Sequence, residues 1–245
     1  MRKNLLVWFI GLVLLVPYYL QADDIWCDFE CAQTNEQYAL LSQKIYDNAT
    51  TVDDWQRIID YKKNILGLYT HGLHLSVYQN TKDQRIAIVI EGTDATDIED
   101  IMTDVVQLTS SPITPKEYTE AREFVQDLRD ANSTFKNAII TGHSLGGGIA
   151  QFIGYSFGME THTFNPAGLS DVTIDNAKTY YENHDFTEKK EIYNLISHNN
   201  EDKRDIVSQT GTLLGSEIFV LVDKDNLIDL HKIKYLYEGI LKILE

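Results

Sequence analysis

Basic residues, cysteine, proline and long apolar runs are all scarce in this 245-residue chain, and each scarcity excludes something. Its 21 Lys and Arg stand against 37 Asp and Glu, so the chain is repelled by nucleic acid and by anionic lipid surfaces. The plainest consequence of that charge is solubility. The two cysteines, Cys27 and Cys31, have no histidines near them and make a poor zinc site. With four prolines, no internal repeat and no low-complexity tract, nothing marks a linker between domains. No apolar run reaches the roughly 20 residues that a membrane-spanning helix needs. What remains is a length and a hydrophobic content, 43 %, that suit one sizeable α/β core with at most a small extension.

The N-terminus reads as a separate element. Arg2 and Lys3 precede the apolar stretch Leu5–Val16, and Ala22 offers a small residue for cleavage, the layout of a secretory signal peptide over residues 1–22. An uncleaved N-terminal anchor is the alternative, because Leu20 is not the small residue expected two places before the cut. Residues 23–245 then form a single domain. Cleavage would leave 19 Lys and Arg against 37 Asp and Glu, a formal charge of −18. The reading predicts a secreted or periplasmic protein, and an oxidising compartment would permit a Cys27–Cys31 disulfide, closing a loop too small to stabilise much. Free thiols or pairing with another molecule are the other outcomes. Asn48-Ala49-Thr50 and Asn132-Ser133-Thr134 match glycosylation sequons, which matter only in a eukaryotic secretory route.

Gly142-His143-Ser144-Leu145-Gly146 carries the most information. It fits G-x-S-x-G, the turn that lifts a serine hydroxyl out at the end of a strand, where side chains two residues before or after the serine would collide with the adjoining strand or helix. Context agrees, since the apolar run 137–141 suits a buried strand and Leu145–Phe157 offers a helix face in Ile149, Ala150, Phe152 and Ile153. No Lys-Ser or Lys-Thr follows the glycines, so a phosphate-binding loop fits poorly.

Periodicity supplies the frame around that turn. A helix is expected over 34–47, a hairpin from strands 73–78 and 85–90, and a short helix over 97–108. A further helix should be opened by a capping box, with Thr114 as cap, Pro115 in the first turn and Glu117 closing it. Later strands fall at 161–164, 191–197 and 216–222, and Asp229 is expected to cap a closing helix. This alternation argues for an α/β architecture with helices on a central sheet.

A serine hydroxyl is a weak nucleophile until a base takes its proton and an acid orients the base. On this kind of fold the partners come later in the chain, acid first, then histidine. His71 and His74 precede the turn, His143 should point beneath it, His162 lies in a strand near the core, and His184 and His198 fall in polar loops. His231, after the last strand, is the expected base. The loop after strand 191–197 holds Asp202 and Asp205; Asp205 is favoured because Ile206-Val207 can anchor it, while Asp202 sits in a charged run. An oxyanion needs backbone N–H groups, for which Leu145, directly after the serine, and Thr93, in the turn Glu91-Gly92-Thr93-Asp94 after strand 86–90, are the candidates.

These segments, in this order, resemble the class 3 lipases, the fungal-type lipase and phospholipase A1 group of α/β-hydrolases. The resemblance rests on Glu91-Gly92-Thr93-Asp94 with Asp100 and Asp104, on Gly142–Gly147, on Phe164-Asn165-Pro166, and on Asp205-Ile206-Val207 with His231. It covers about residues 36–240 and implies an α/β-hydrolase fold, with a central, mostly parallel sheet flanked by helices. It further implies an ester hydrolase for lipid or small ester substrates, with Ser144, Asp205 and His231 catalytic, Thr93 and Leu145 as the oxyanion hole, and neither metal nor cofactor. Glu91 departs from the family, which usually has arginine there. The segment 94–115, where the family's lid often lies, is mostly acidic and polar, which favours a phospholipid or smaller ester over triglyceride and fits transient contact with a lipid surface at most. Alternatives are a thioesterase or acyltransferase on the same scaffold, and a catalytically silent binding protein.

Overall fold

The computed structural model describes residues 24–63, 72–93, 98–186 and 188–245. The expected signal peptide over residues 1–22, together with His71 and Asp94, lies outside the described residues. The first half of the chain contributes α1 (Phe29–Lys44), β1 (Thr51–Val52), β2 (Trp55–Lys63), β3 (Leu73–Asn80), β4 (Ile86–Ile90), α2 (Ile98–Thr109) and α3 (Lys116–Ala131). The second half contributes β5 (Ile139–His143), α4 (Leu145–Phe157), β6 (Thr161–Phe164), α5 (Asp171–Glu182), β7 (Ile192–His198), β8 (Ser216–Leu221), α6 (Leu227–His231) and α7 (Ile233–Leu244).

The eight strands pair in chain order. β1 to β4 are antiparallel neighbours, and β4 to β8 run parallel. Parallel strands need crossovers, and helices supply most of them, which buries the central strands on both faces. β4 shows the consequence: Ile86, Ile88 and Ile90 pack on the side of α3 and α4 with Tyr118, Val125, Ile149 and Phe152, whereas Ala87 and Val89 pack on the side of α1 and α7 with Leu41 and Leu236. Apolar residues at every position of such a strand, rather than alternating ones, are what two covered faces demand.

The edges of the sheet were less legible. β2 alternates in burial throughout, across a register shift between Arg57 and Ile59, but its residues do not alternate to match: Ile58 is exposed, and Arg57 and Lys63 fall on the more buried side, so the sequence pattern does not reveal it. At the far edge, Cys27 N–H donates to the Phe219 carbonyl (2.9 Å) and Phe219 N–H to that of Ile25 (2.7 Å), so the segment before α1 extends the sheet. Asp28 caps α1 by accepting from Cys31 N–H (2.9 Å), starting the helix earlier than residue 34, and Cys27 is disulfide-bonded to Cys31.

Two caps differ from expectation. Pro115, not Thr114, is the N-cap of α3, so the threonine stands one residue too early to reach the first free N–H groups, and its buried hydroxyl has no partner among the described residues. Asn226 rather than Asp229 caps the turn before His231, accepting from Asp229 N–H at 2.8 Å; the Asp229 carboxylate pairs with Lys232 instead.

Candidate active site

The parallel strands end together at their carboxyl edge, where an open α/β sheet gathers its chemistry. β4 delivers Glu91, Gly92 and Thr93; β5 delivers Ser144; β6 delivers Asn165; the loop after β7 delivers Asp205, and α6, after β8, delivers His231. Residues up to 140 positions apart in sequence thus meet at one edge because each follows a strand of the same parallel set.

Ser144 stands at φ 57° and ψ −127°, a conformation costly to a side chain and characteristic of a strand-to-helix elbow. The flanking glycines explain how it fits. A Cβ on Gly142 would lie 2.5 Å from the Gly146 carbonyl oxygen, and one on Gly146 would lie 2.3 Å from that of Ile90. The elbow is clamped from below, since the Ser144 carbonyl accepts from Gly148 N–H (3.1 Å) and Ala167 N–H (2.9 Å).

Asp205, His231 and Ser144 lie in one hydrogen-bonded line. Asp205 Oδ1 accepts from His231 Nδ1–H at 2.8 Å, and His231 Nε2 meets Ser144 Oγ at 2.9 Å. All three are buried, at 0 %, 3 % and 1 % exposure. The second oxygen of Asp205 is occupied as well, accepting from Ser208 N–H (2.8 Å) and Ser208 Oγ–H (2.7 Å). Both carboxyl oxygens are thus hydrogen-bonded, as a buried polar group requires. Asp202 takes no part: its side chain is 89 % exposed and lies 3.2 Å from His198 Nε2.

The turn after β4 presses on the elbow. A Cβ on Gly92 would come within 3.2 Å of Ser144 Cβ and 2.5 Å of the His143 carbonyl oxygen, so only glycine permits the approach. This places Thr93, which is buried, one residue beyond that contact, while Leu145 opens α4 with an N–H among the unpaired donors of a first helical turn.

Several residues that hold this geometry carried no local signal. His143 turns its ring toward the base loop: its Nε2–H donates to the His231 carbonyl (2.8 Å), and its Nδ1 accepts from Tyr46 O–H (2.9 Å). Burial, and then the charge of nearby His231, push its pKa down to about 3, so it is a neutral structural imidazole. Tyr46 Oη in turn accepts from Gly92 N–H (3.2 Å), tying the turn after β4 to the elbow. Asn165, at φ 45°, donates to the Leu230 (2.8 Å) and His231 (3.1 Å) carbonyls and accepts from Ser197 N–H (2.7 Å). The sequence places His143 beneath the turn and Asn165 within Phe164-Asn165-Pro166, but not the partners that either one meets. Despite its polar composition, the segment after Thr93 also has an apolar side: Val105 of α2 packs with Ala167 and Val207 beside the buried serine.

An elbow serine at the carboxyl edge of a mostly parallel, helix-flanked sheet defines an α/β-hydrolase fold. Comparison with known proteins agrees and narrows this. The model of the Tle-like phospholipase domain matches residues 37–196, and the chain belongs to that family. An extracellular phospholipase A1 of Serratia liquefaciens is 30 % identical over 146 residues, which are 56 % of this chain and 43 % of that protein. The chain therefore spans less than half the length of this curated relative. Among solved structures, a triacylglycerol lipase from Penicillium expansum superposes with a TM-score of 0.55 at 14 % identity, over 80 % of this chain and 82 % of the lipase. Rhizomucor miehei lipase in its propeptide complex gives 0.52 at 18 % identity, over 78 % and 69 %. At such identities these two speak for the fold.

Proposed function

We propose that this protein is an exported serine ester hydrolase that cleaves acyl esters of lipids in the manner of a phospholipase A1. The observation that carries the reading is the buried line Asp205–His231–Ser144, with 2.8 and 2.9 Å contacts, at an elbow whose glycines press it against the turn after β4. Ser144 Oγ attacks the acyl carbonyl carbon and passes its proton to His231 Nε2. Asp205 holds the Nδ1–H tautomer and stabilises the imidazolium. The N–H groups of Leu145 and Thr93 receive the oxyanion. Collapse expels the alcohol portion of the lipid, which takes the proton from His231. Water, activated by the same histidine, then releases the fatty acid. The scheme uses no metal and no cofactor.

Export is supported by the basic-then-apolar N-terminus, by the Cys27–Cys31 disulfide, which suits an oxidising compartment, and by the relative described as extracellular. Among the described residues no helix is long and apolar enough to cross a membrane. The acidic surface favours uncharged or zwitterionic esters over polyanions.

The test is hydrolysis of short- and long-chain p-nitrophenyl esters and of mixed phospholipid and glyceride dispersions, with product analysis. The wild type should release fatty acid, and Ser144→Ala should abolish the release. Equal rates for the two proteins would remove Ser144 from the chemistry. Failure of a fluorophosphonate probe to label folded wild type would favour a silent scaffold instead.

A further inference from the structure

We propose that His74, a residue of β3 outside the Ser144–His231–Asp205 line, is the positioning residue of the oxyanion turn, acting through Glu91. The inference rests on the hydrolase reading above and adds a residue to its machinery.

His74 is buried, its side chain 8 % exposed, and both ring nitrogens face carboxylates. Nδ1 is hydrogen-bonded to Glu91 Oε2, and Nε2 lies 2.8 Å from Asp60 Oδ1. Both ring nitrogens are thus engaged by carboxyl groups, which fixes the ring between β2 and the turn after β4. The backbone repeats the connection: Glu91 N–H donates to the His74 carbonyl at 3.1 Å. Glu91 is thus gripped at both ends by one residue, and the next two residues in the chain are Gly92, packed on Ser144, and Thr93, the proposed oxyanion donor.

The surrounding charges make the grip self-consistent. On β2, Asp60 also accepts from Ser76 Oγ–H (2.8 Å) and Arg57 Nη1 (3.2 Å), with Lys62 Nζ 3.9 Å from its other oxygen. Burial works against the Asp60 charge, yet hydrogen bonds from His74 and Ser76, with the charges of His74 and Arg57, hold its carboxyl below the ordinary range. Without His74, the Glu91 side chain would lose its hydrogen-bond partner at the root of a turn whose task is to receive a developing oxyanion, which costs transition-state stabilisation rather than substrate binding. The same removal would free the turn to shift, and a displacement of 1 Å in such a donor is felt strongly in rate.

The experiment compares wild type, His74→Gln, Glu91→Ala and the double variant His74→Gln/Glu91→Gln in ester hydrolysis, with amide hydrogen exchange of the segment 91–93 as a second readout. His74→Gln and Glu91→Ala should each lower kcat about tenfold or more with KM within about twofold, because the oxyanion donors act mainly on the transition state. Adding Glu91→Gln to His74→Gln should recover part of that loss, because two amides can restore the hydrogen bond between the positions. Exchange across 91–93 should quicken in both single variants. Undiminished kcat in Glu91→Ala, a loss confined to KM, or a double variant no better than His74→Gln overturns the proposal. A His74→Gln chain that fails to fold leaves Glu91→Ala, whose altered side chain is more exposed than that of His74, to decide the matter. Absence of Ser144-dependent hydrolysis in wild type overturns the hydrolase reading alone, and exchange across 91–93 still judges the grip.

Discussion

His143 should make this protein lose stability on mild acidification. Its pKa falls from 6.5 to about 3 on folding, because burial and then the charge of His231 disfavour the imidazolium. The folded state therefore binds fewer protons than the unfolded chain everywhere between those values. The contribution is fully present above pH 6.5 and drains away as pH falls through the window. Each pH unit inside the window costs up to about 1.4 kcal/mol, so lowering pH from 8 to 5 removes about 2 kcal/mol. That is a substantial fraction of a typical domain stability of about 5–15 kcal/mol. Carboxyls held low, such as Asp60 and the Asp229 that Lys232 and Asn226 hold down, give up their stabilisation only in the carboxylate range, below pH 5. The assay is urea unfolding followed by tryptophan fluorescence at half-unit steps from pH 8 to pH 5. His143→Gln places an amide where Nε2–H donates to the His231 carbonyl but cannot titrate. The variant should be less stable than wild type at pH 8, having lost packing and the acceptor for Tyr46, and its stability should vary with pH by about 2 kcal/mol less over the interval. An unchanged slope in His143→Gln would refute the argument.

Two further substitutions probe the same edge of the sheet. Asp205→Asn replaces a carboxylate that accepts from both His231 and Ser208 with an amide that has one acceptor; if its NH2 meets His231, the imidazole flips to the tautomer that cannot take the Ser144 proton, so kcat should fall about 10⁴-fold with circular dichroism unchanged. Gly146→Ala sets a methyl 2.3 Å from the Ile90 carbonyl oxygen and 2.8 Å from Glu91 C, so the end of β4 must yield; a loss of about 1–3 kcal/mol in thermal unfolding, with strongly reduced turnover, is expected, and wild-type values in both would show the contact to be harmless.

The local pattern of the chain determined a good deal. The glycines around Ser144, the apolar runs of β4 and β5 and the face of α4 announced a strand, an elbow and a helix, because each signal lies within a few residues of the chemistry it supports. Strand–helix alternation was enough for an α/β architecture, the family resemblance implied that its sheet is mostly parallel, and position in the chain, with Ile206-Val207 as an anchor, pointed to His231 and Asp205. Local signals failed where one residue decides, as at the caps Pro115 and Asn226, or where apolar and polar residues do not follow the burial alternation, as in β2.

Tertiary structure decided the rest. Asp202 and Asp205 share a loop and a charge, and only the path of the backbone, with Asp205 N–H on the Ser197 carbonyl, turns the second toward His231. The Tyr46–His143 contact joins residues 97 apart, His143 to the His231 carbonyl joins residues 88 apart, and His74 to Glu91 joins neighbouring strands. Helical and strand periods report only which face a residue takes. Which polar groups meet across those faces depends on how strands pair and how helices cross, and that is where Glu91, unexpected at its position, found the imidazole that holds it.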